Sequence, residues 1–243
     1  MTEQSQVSNS PSETPGKVSF LAVVNRAGQL DRDAIQDNMR NPPRRCQNSK
    51  ANYCACDECS RVADANRAYK DAGLPVRQRM NVPGEDHAEW YAALEKCKDK
   101  LGDGFIIALL GNRGTGKTQI AAGLIRAACA GGIYSCRYTL AFDFFLELRH
   151  HMKDGKGEDH VIREYTKSAL LVIDEADVRG HSEWEDRNLT HLIDKRYGAM
   201  LDTLLISNSL PDRFVELIGP SVSDRLRECG GVIECNWKSF RGN

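Results

Sequence analysis

Gly111-Asn112-Arg113-Gly114-Thr115-Gly116-Lys117-Thr118 follows directly on the apolar run Phe105 to Leu110, and this junction decides the fold. The spacing is G-x-x-x-x-G-K-[ST], a phosphate loop. Glycines let backbone N–H groups turn inward around an anion. Lys117 supplies a point charge toward the β- and γ-phosphates, and the Thr118 hydroxyl can ligate Mg²⁺. The apolar run reads as a buried strand and Thr118 to Ala130 as an amphipathic helix, whose positive dipole end faces the same anion. The junction therefore predicts a site for ATP or a similar nucleoside triphosphate.

Working outward, strand and helix patterns alternate. Helical periodicity covers Asp86 to Leu101, Phe142 to Met152, Asn188 to Met200 and Asp212 to Arg227, the last broken near Gly219-Pro220. Between them lie the apolar runs Tyr134 to Thr139, Ala169 to Ile173 and Thr203 to Ile206. Continuous apolar strands separated by helices predict an α/β fold, a parallel sheet flanked by helices on both faces. Ligands in such folds sit at the carboxyl ends of the strands.

Ala169-Leu170-Leu171-Val172-Ile173-Asp174-Glu175 has the form of a second nucleotide motif. A buried strand delivers Asp174 beside Mg²⁺, and Glu175 can polarise an attacking water. The tetrapeptide Asp174-Glu175-Ala176-Asp177 also spells a helicase motif, but the 66 residues after it are too few for the second lobe such a helicase needs. The strand Thr203 to Ile206 ends in Ser207-Asn208-Ser209, which makes Asn208 a candidate for placing the water. Arg225 and Arg241 are candidates for stabilising phosphoryl charge, in cis or from a neighbouring subunit.

The formal net charge is -1, which excludes a global basic field of the kind that drives bulk duplex binding. No apolar run approaches the roughly 18 residues needed to span a bilayer, and no N-terminal signal pattern is present, so a cytoplasmic location and no membrane partner are expected. Residues 1–17 are polar and rich in Ser and Pro, predicting a disordered tail. Val18 to Val24 is a short apolar run, and helices are expected over Asp31 to Met39 and Ser60 to Asp71. A domain boundary is expected between Gly73 and Pro83, dividing residues 18–73 from an ATPase domain at 74–243. Of nine cysteines, Cys46, Cys54, Cys56 and Cys59 cluster in the first of these units. Four thiolates can close a tetrahedral Zn²⁺ site and staple so small a unit; the alternative is reduced cysteines in a mobile loop.

The phosphate loop, the Asp-Glu strand, Ser182 to Glu185, Lys195 to Tyr197, Leu205 to Ser209, Asp224-Arg225-Leu226-Arg227 and Asn236-Trp237-Lys238-Ser239-Phe240-Arg241 together resemble the DnaC/IstB-type AAA+ ATPases. Ala72 to Arg77 resembles the segment these proteins carry before the core. The likeness covers about Arg61 to Arg241 and is closer to the DnaC-type helicase loaders. The resemblance implies Asn208 as sensor 1, Arg225 as an arginine finger acting in trans and Arg241 as sensor 2. It further implies ATP hydrolysis, weak alone and stimulated by single-stranded DNA, self-association through the ATPase domain, and delivery of a hexameric replicative helicase gripped by the N-terminal unit. The chain departs from the family at Ala176-Asp177, where Ile-Gly is usual, and at Ser221, where an arginine is often found. An IstB-like transposition helper and a non-enzymatic adaptor are the alternatives.

Phe142 to Lys153 carries aromatic and basic groups that can stack bases and pair phosphates, with Arg149, His150 and Lys153 as a DNA-binding patch. At helical spacing, Phe142, Phe145, Leu146 and Leu148 read more readily as core.

Overall fold

The computed structural model describes residues 31–41, 56–80, 87–155 and 157–241. Five short strands form its sheet: β1 (Ile106–Leu110), β2 (Cys136–Leu140), β3 (Leu170–Asp174), β4 (Asp202–Ile206) and β5 (Gly231–Glu234). They lie in the order β2-β3-β4-β1-β5, and every pairing is parallel. β1, β3 and β4 are buried along their whole length, as continuous apolar runs require of a sheet covered on both faces. Register sets Leu109 beside Ile206 and Leu140 beside Asp174, so the strands end together at one edge of the sheet.

Side chains alternate across the sheet. Ile107, Leu109, Val172 and Leu204 face one layer, built on α5 (Lys117–Ala130) and α4 (Ala88–Lys98). Ile106, Ala108, Leu171, Ile173 and Leu205 face the other. That second layer holds α6 (Ala141–Lys153), α7 (Glu158–Thr166), α8 (Glu183–Gly198), α9 (Pro211–Ile218) and α10 (Pro220–Cys229).

The boundary expected near Gly73 does not divide the core. α1 (Arg32–Arg40) and α2 (Asp57–Asp71) lie before it, yet Ile35, Ala68 and Ala72 are buried in the same cluster as Ile125 and Ala128 of α5. Asn38 Nδ2 donates to the Gly131 carbonyl at 3.1 Å, and the Tyr138 N–H of β2 donates to the Ala72 carbonyl at 2.6 Å. These helices were too polar for sequence periodicity to show one buried stripe; their small residues nonetheless fit α5. The expected tail, the Val18 to Val24 run, Cys46 and Cys54 lie outside the described residues.

Three further differences concern elements. α8 begins at Glu183 rather than Asn188, because the Ser182 hydroxyl caps it by accepting the Glu185 N–H. β5 and the short helix α3 (Val76–Met80) carry too few residues for a pattern. On α6 the buried face is Phe144, Phe145 and Leu148, whereas Phe142 and Leu146 are exposed. The segment is apolar at too many positions for periodicity to choose a face.

At the edge where the strands begin, a buried polar cluster joins sheet and helices. Arg196 is fully buried; its guanidinium donates to the Tyr165, Ser168 and Asp202 carbonyls at 2.8, 2.8 and 2.6 Å and to the Thr203 hydroxyl at 2.9 Å. The Asp202 carboxylate accepts the Gly102, Gly104 and Phe105 N–H groups at 2.7–3.1 Å. Burial still raises that carboxyl to about 7.

Candidate functional site

At the opposite edge the loop Gly111 to Gly116 runs from the end of β1 into α5. Gly114 and Gly116 have φ of +85° and +79°, conformations that favour glycine. A Cβ on Gly116 would also lie 2.5 Å from the Phe240 ring. The loop borders a cleft of about 720 Å³ whose lining includes Arg113, Gly114, Gly116, Lys117, Thr118, Asp174, Glu175, Asn208 and Arg241.

Lys117 is buried, and its ammonium donates to the Gly111 and Asn112 carbonyls at 2.7 Å each. Burial lowers its pKa from the ordinary lysine value, against the opposing pull of Cys235, Asp174 and Asp177. Both carbonyls belong to the loop itself, so the ammonium can exchange them for phosphate oxygens without opening the core. The Thr115 hydroxyl closes the turn onto the Asn112 carbonyl at 3.0 Å.

Asp174 ends β3, nearly buried, and is held from three sides. The Thr118 and Tyr138 hydroxyls donate to its Oδ2 at 2.7 and 2.8 Å, and the Glu175 N–H donates to Oδ1 at 2.8 Å. Burial, then the adjacent Asp174 charge, push the Tyr138 hydroxyl far above its ordinary pKa, so it remains a donor at neutral pH. A hydroxyl and a carboxylate side by side at the loop's end are oxygen donors of the kind Mg²⁺ takes.

Glu175 is exposed at φ +54°, an uncommon conformation for a non-glycine residue. The strand ends around it are tied together. The Ala176 N–H donates to the Ile206 carbonyl at 2.8 Å, and the Ser209 hydroxyl donates to Asp177 Oδ2 at 2.7 Å. Glu175 and Asn208 therefore sit on two cross-linked loops, the links flanking Asn208 and directly following Glu175. Asp177, read from sequence as the end of a helicase-like tetrapeptide and as a departure from the family, has a physical task here.

Arg225 is placed elsewhere. It lies half-buried on α10, over the Tyr197 ring at 4.4 Å, with Asp194 at 3.5 Å and Glu228 at 4.0 Å. Cys56 stands at the N-cap position of α2, without a side-chain capping bond, and Cys59 lies in its first turn. Among the described residues, no group of three or more His, Cys, Asp or Glu side chains could hold a metal. Also among them, no helix is long and apolar enough to cross a membrane. On α6, Arg149 pairs with Glu185 and His150 with Asp154 at 3.3 Å. Sequence reading missed Tyr138, an ordinary strand tyrosine by pattern, and Arg77 and Gln78, which line the cleft from α3.

The chain is 29% identical over 205 residues to the replicative helicase loader DnaC of Escherichia coli K12, covering 77% of this chain and 80% of that protein. Among solved structures, the DnaC helicase loader superposes with a TM-score of 0.54 at 22% identity, over 68% of this chain and 97% of that one. AMPPCP-bound DnaA from Aquifex aeolicus superposes with a TM-score of 0.55 at 22% identity, over 67% of this chain and about half (51%) of the DnaA chain. These likenesses show an AAA+ P-loop fold. The family model described as IstB-like ATP binding protein matches residues 101–240, more than half of the chain, including the loop and the strand ends that border the cleft; the chain belongs to that family.

Proposed function

We propose that the protein is an AAA+ ATPase that delivers a hexameric DnaB-type replicative helicase to single-stranded DNA. The observation that carries this reading is the reach of the likeness to DnaC. It spans 77% of the chain and so extends beyond the ATP-binding region at residues 101–240. The cleft supports the chemistry. Lys117 exchanges loop carbonyls for phosphate oxygens, while Thr118 and Asp174 are the residues that would hold Mg²⁺. Bound there, the metal ion would neutralise charge on the β- and γ-phosphates. Glu175 polarises the attacking water and Asn208 orients it. Arg241 lines the same cleft as sensor 2, and Arg225 of a neighbouring protomer completes the site in trans. In this reading Asp194, Glu228 and the Tyr197 ring hold the finger ready on α10.

The test is capture of partners from host extract by tagged full-length protein, wild type and Glu175→Gln, with ATP present. Recovery of the replicative helicase by both, with hydrolysis lost only in Glu175→Gln and single strands stimulating the wild type, is the expected result. Recovery of a transposase instead would favour the second reading, a transposition helper, which the IstB-like family match supports. An unchanged rate of hydrolysis in Glu175→Gln would remove the catalytic assignment.

A further inference from the structure

The back of the phosphate loop is held by donors that belong neither to the loop nor to the Asp-Glu strand. Three consecutive loop carbonyls each accept an N–H from outside the loop. Gly114 accepts the Phe240 main-chain N–H at 2.8 Å, Thr115 the Trp237 indole at 2.7 Å, and Gly116 the Trp90 indole at 3.1 Å. Gly116 also receives the Ile120 N–H, the bond that opens α5. In a planar trans peptide the carbonyl and the following N–H point in opposite directions. Trp237 and Trp90 do not line the cleft, so drawing the carbonyls of 115 and 116 toward them turns the N–H groups of Gly116 and Lys117 toward it. Those are the donors that cradle a phosphate in this kind of loop.

We propose that Trp90 and Trp237 are positioning residues for phosphate binding: their indole N–H groups hold the loop in the shape that receives the anion. This rests on reading the cleft as the nucleotide site. The two donors come from different parts of the chain, Trp90 26 residues before its acceptor and Trp237 122 residues after its own. The clamp thus makes nucleotide affinity depend on the C-terminal segment being docked. Phe240 reinforces it, with its ring against Gly116 and 4.3 Å from the His87 ring.

Trp→Phe substitution keeps an aromatic ring and removes the N–H. Binding of a fluorescent ATP analogue to full-length Trp90→Phe, Trp237→Phe and the double variant is the test, with kcat and KM for ATP measured alongside. Each single variant should weaken binding by roughly fivefold and the double variant by more, the size expected for lost neutral hydrogen bonds. KM should rise while kcat at saturating ATP stays within about twofold of wild type, because the donors organise the ground state rather than the reacting atoms. Trp184→Phe is the control; its indole donates to Glu158, away from the loop, and binding should not change. Melting curves without nucleotide separate folding from affinity. If Trp237→Phe melts early, Trp90→Phe measured below its transition decides the matter. Affinity within twofold of wild type in both single variants would overturn the clamp. Failure of the wild type itself to bind would overturn the nucleotide reading and the clamp with it.

Discussion

Two buried cations mark the two edges of the sheet, and they are used differently. Arg196, where the strands begin, donates to three carbonyls and a hydroxyl drawn from α7, β4 and the segment before β3. Lys117, where the strands end, bonds among the described residues only to oxygens of the loop that precedes it. The arginine joins separate elements, so its hydrogen bonds are tertiary structure. The lysine's bonds are local and replaceable, so an incoming anion can take them over. Burial of a charge does not by itself distinguish structure from function; the origin of its partners does.

That contrast can be broken first at Arg196. Arg196→Met should destabilise the protein by about 3–5 kcal/mol, since four buried acceptors lose their donor at once. Thermal melting measures it, and a loss under about 1 kcal/mol would mean the cluster is ornamental. Lys117→Ala should do the converse. Nucleotide affinity should fall by about 100-fold or more, the value of a charge-assisted contact to phosphate, while the melting temperature of the free protein stays within about 4 °C. A comparable loss of stability would erase the distinction between the two edges.

A third test sharpens it by pH. Asp202 titrates near 7 in the folded protein, against about 3.9 in an unfolded chain. The folded state therefore holds this proton more tightly between those values. Its contribution to stability is complete below about pH 4 and is lost as pH rises through about 7. Wild type should lose melting temperature relative to Asp202→Asn between pH 5 and 8. A constant difference across that range would show that the carboxylate is ionised throughout, its three N–H donors having outweighed burial.

The cleft was legible in sequence to an unusual degree because its parts are local. A phosphate loop is eight adjacent residues, and the strand delivering Asp174 is itself a pattern. The interactions that orient those parts were not legible. Tyr138 reaches Asp174 only because β2 pairs with β3, and Ser209 reaches Asp177 only because β4 lies beside β3. The exposure of Phe142 and Leu146 was misread for a related reason. An apolar helix segment carries no record of which face its partner will take.

By itself the sequence determined the α/β class, the parallel sheet, the phosphate loop and the carboxylates at the strand end, since each depends on residues within one turn or one strand. Tertiary structure decided the rest. It packed α1 and α2 into the same core as α5, closed the two indoles over the back of the loop, and set Arg225 on a surface away from its own cleft. Those outcomes depend on hydrogen bonds and contacts between residues as much as 122 positions apart, formed once packing has brought their elements together.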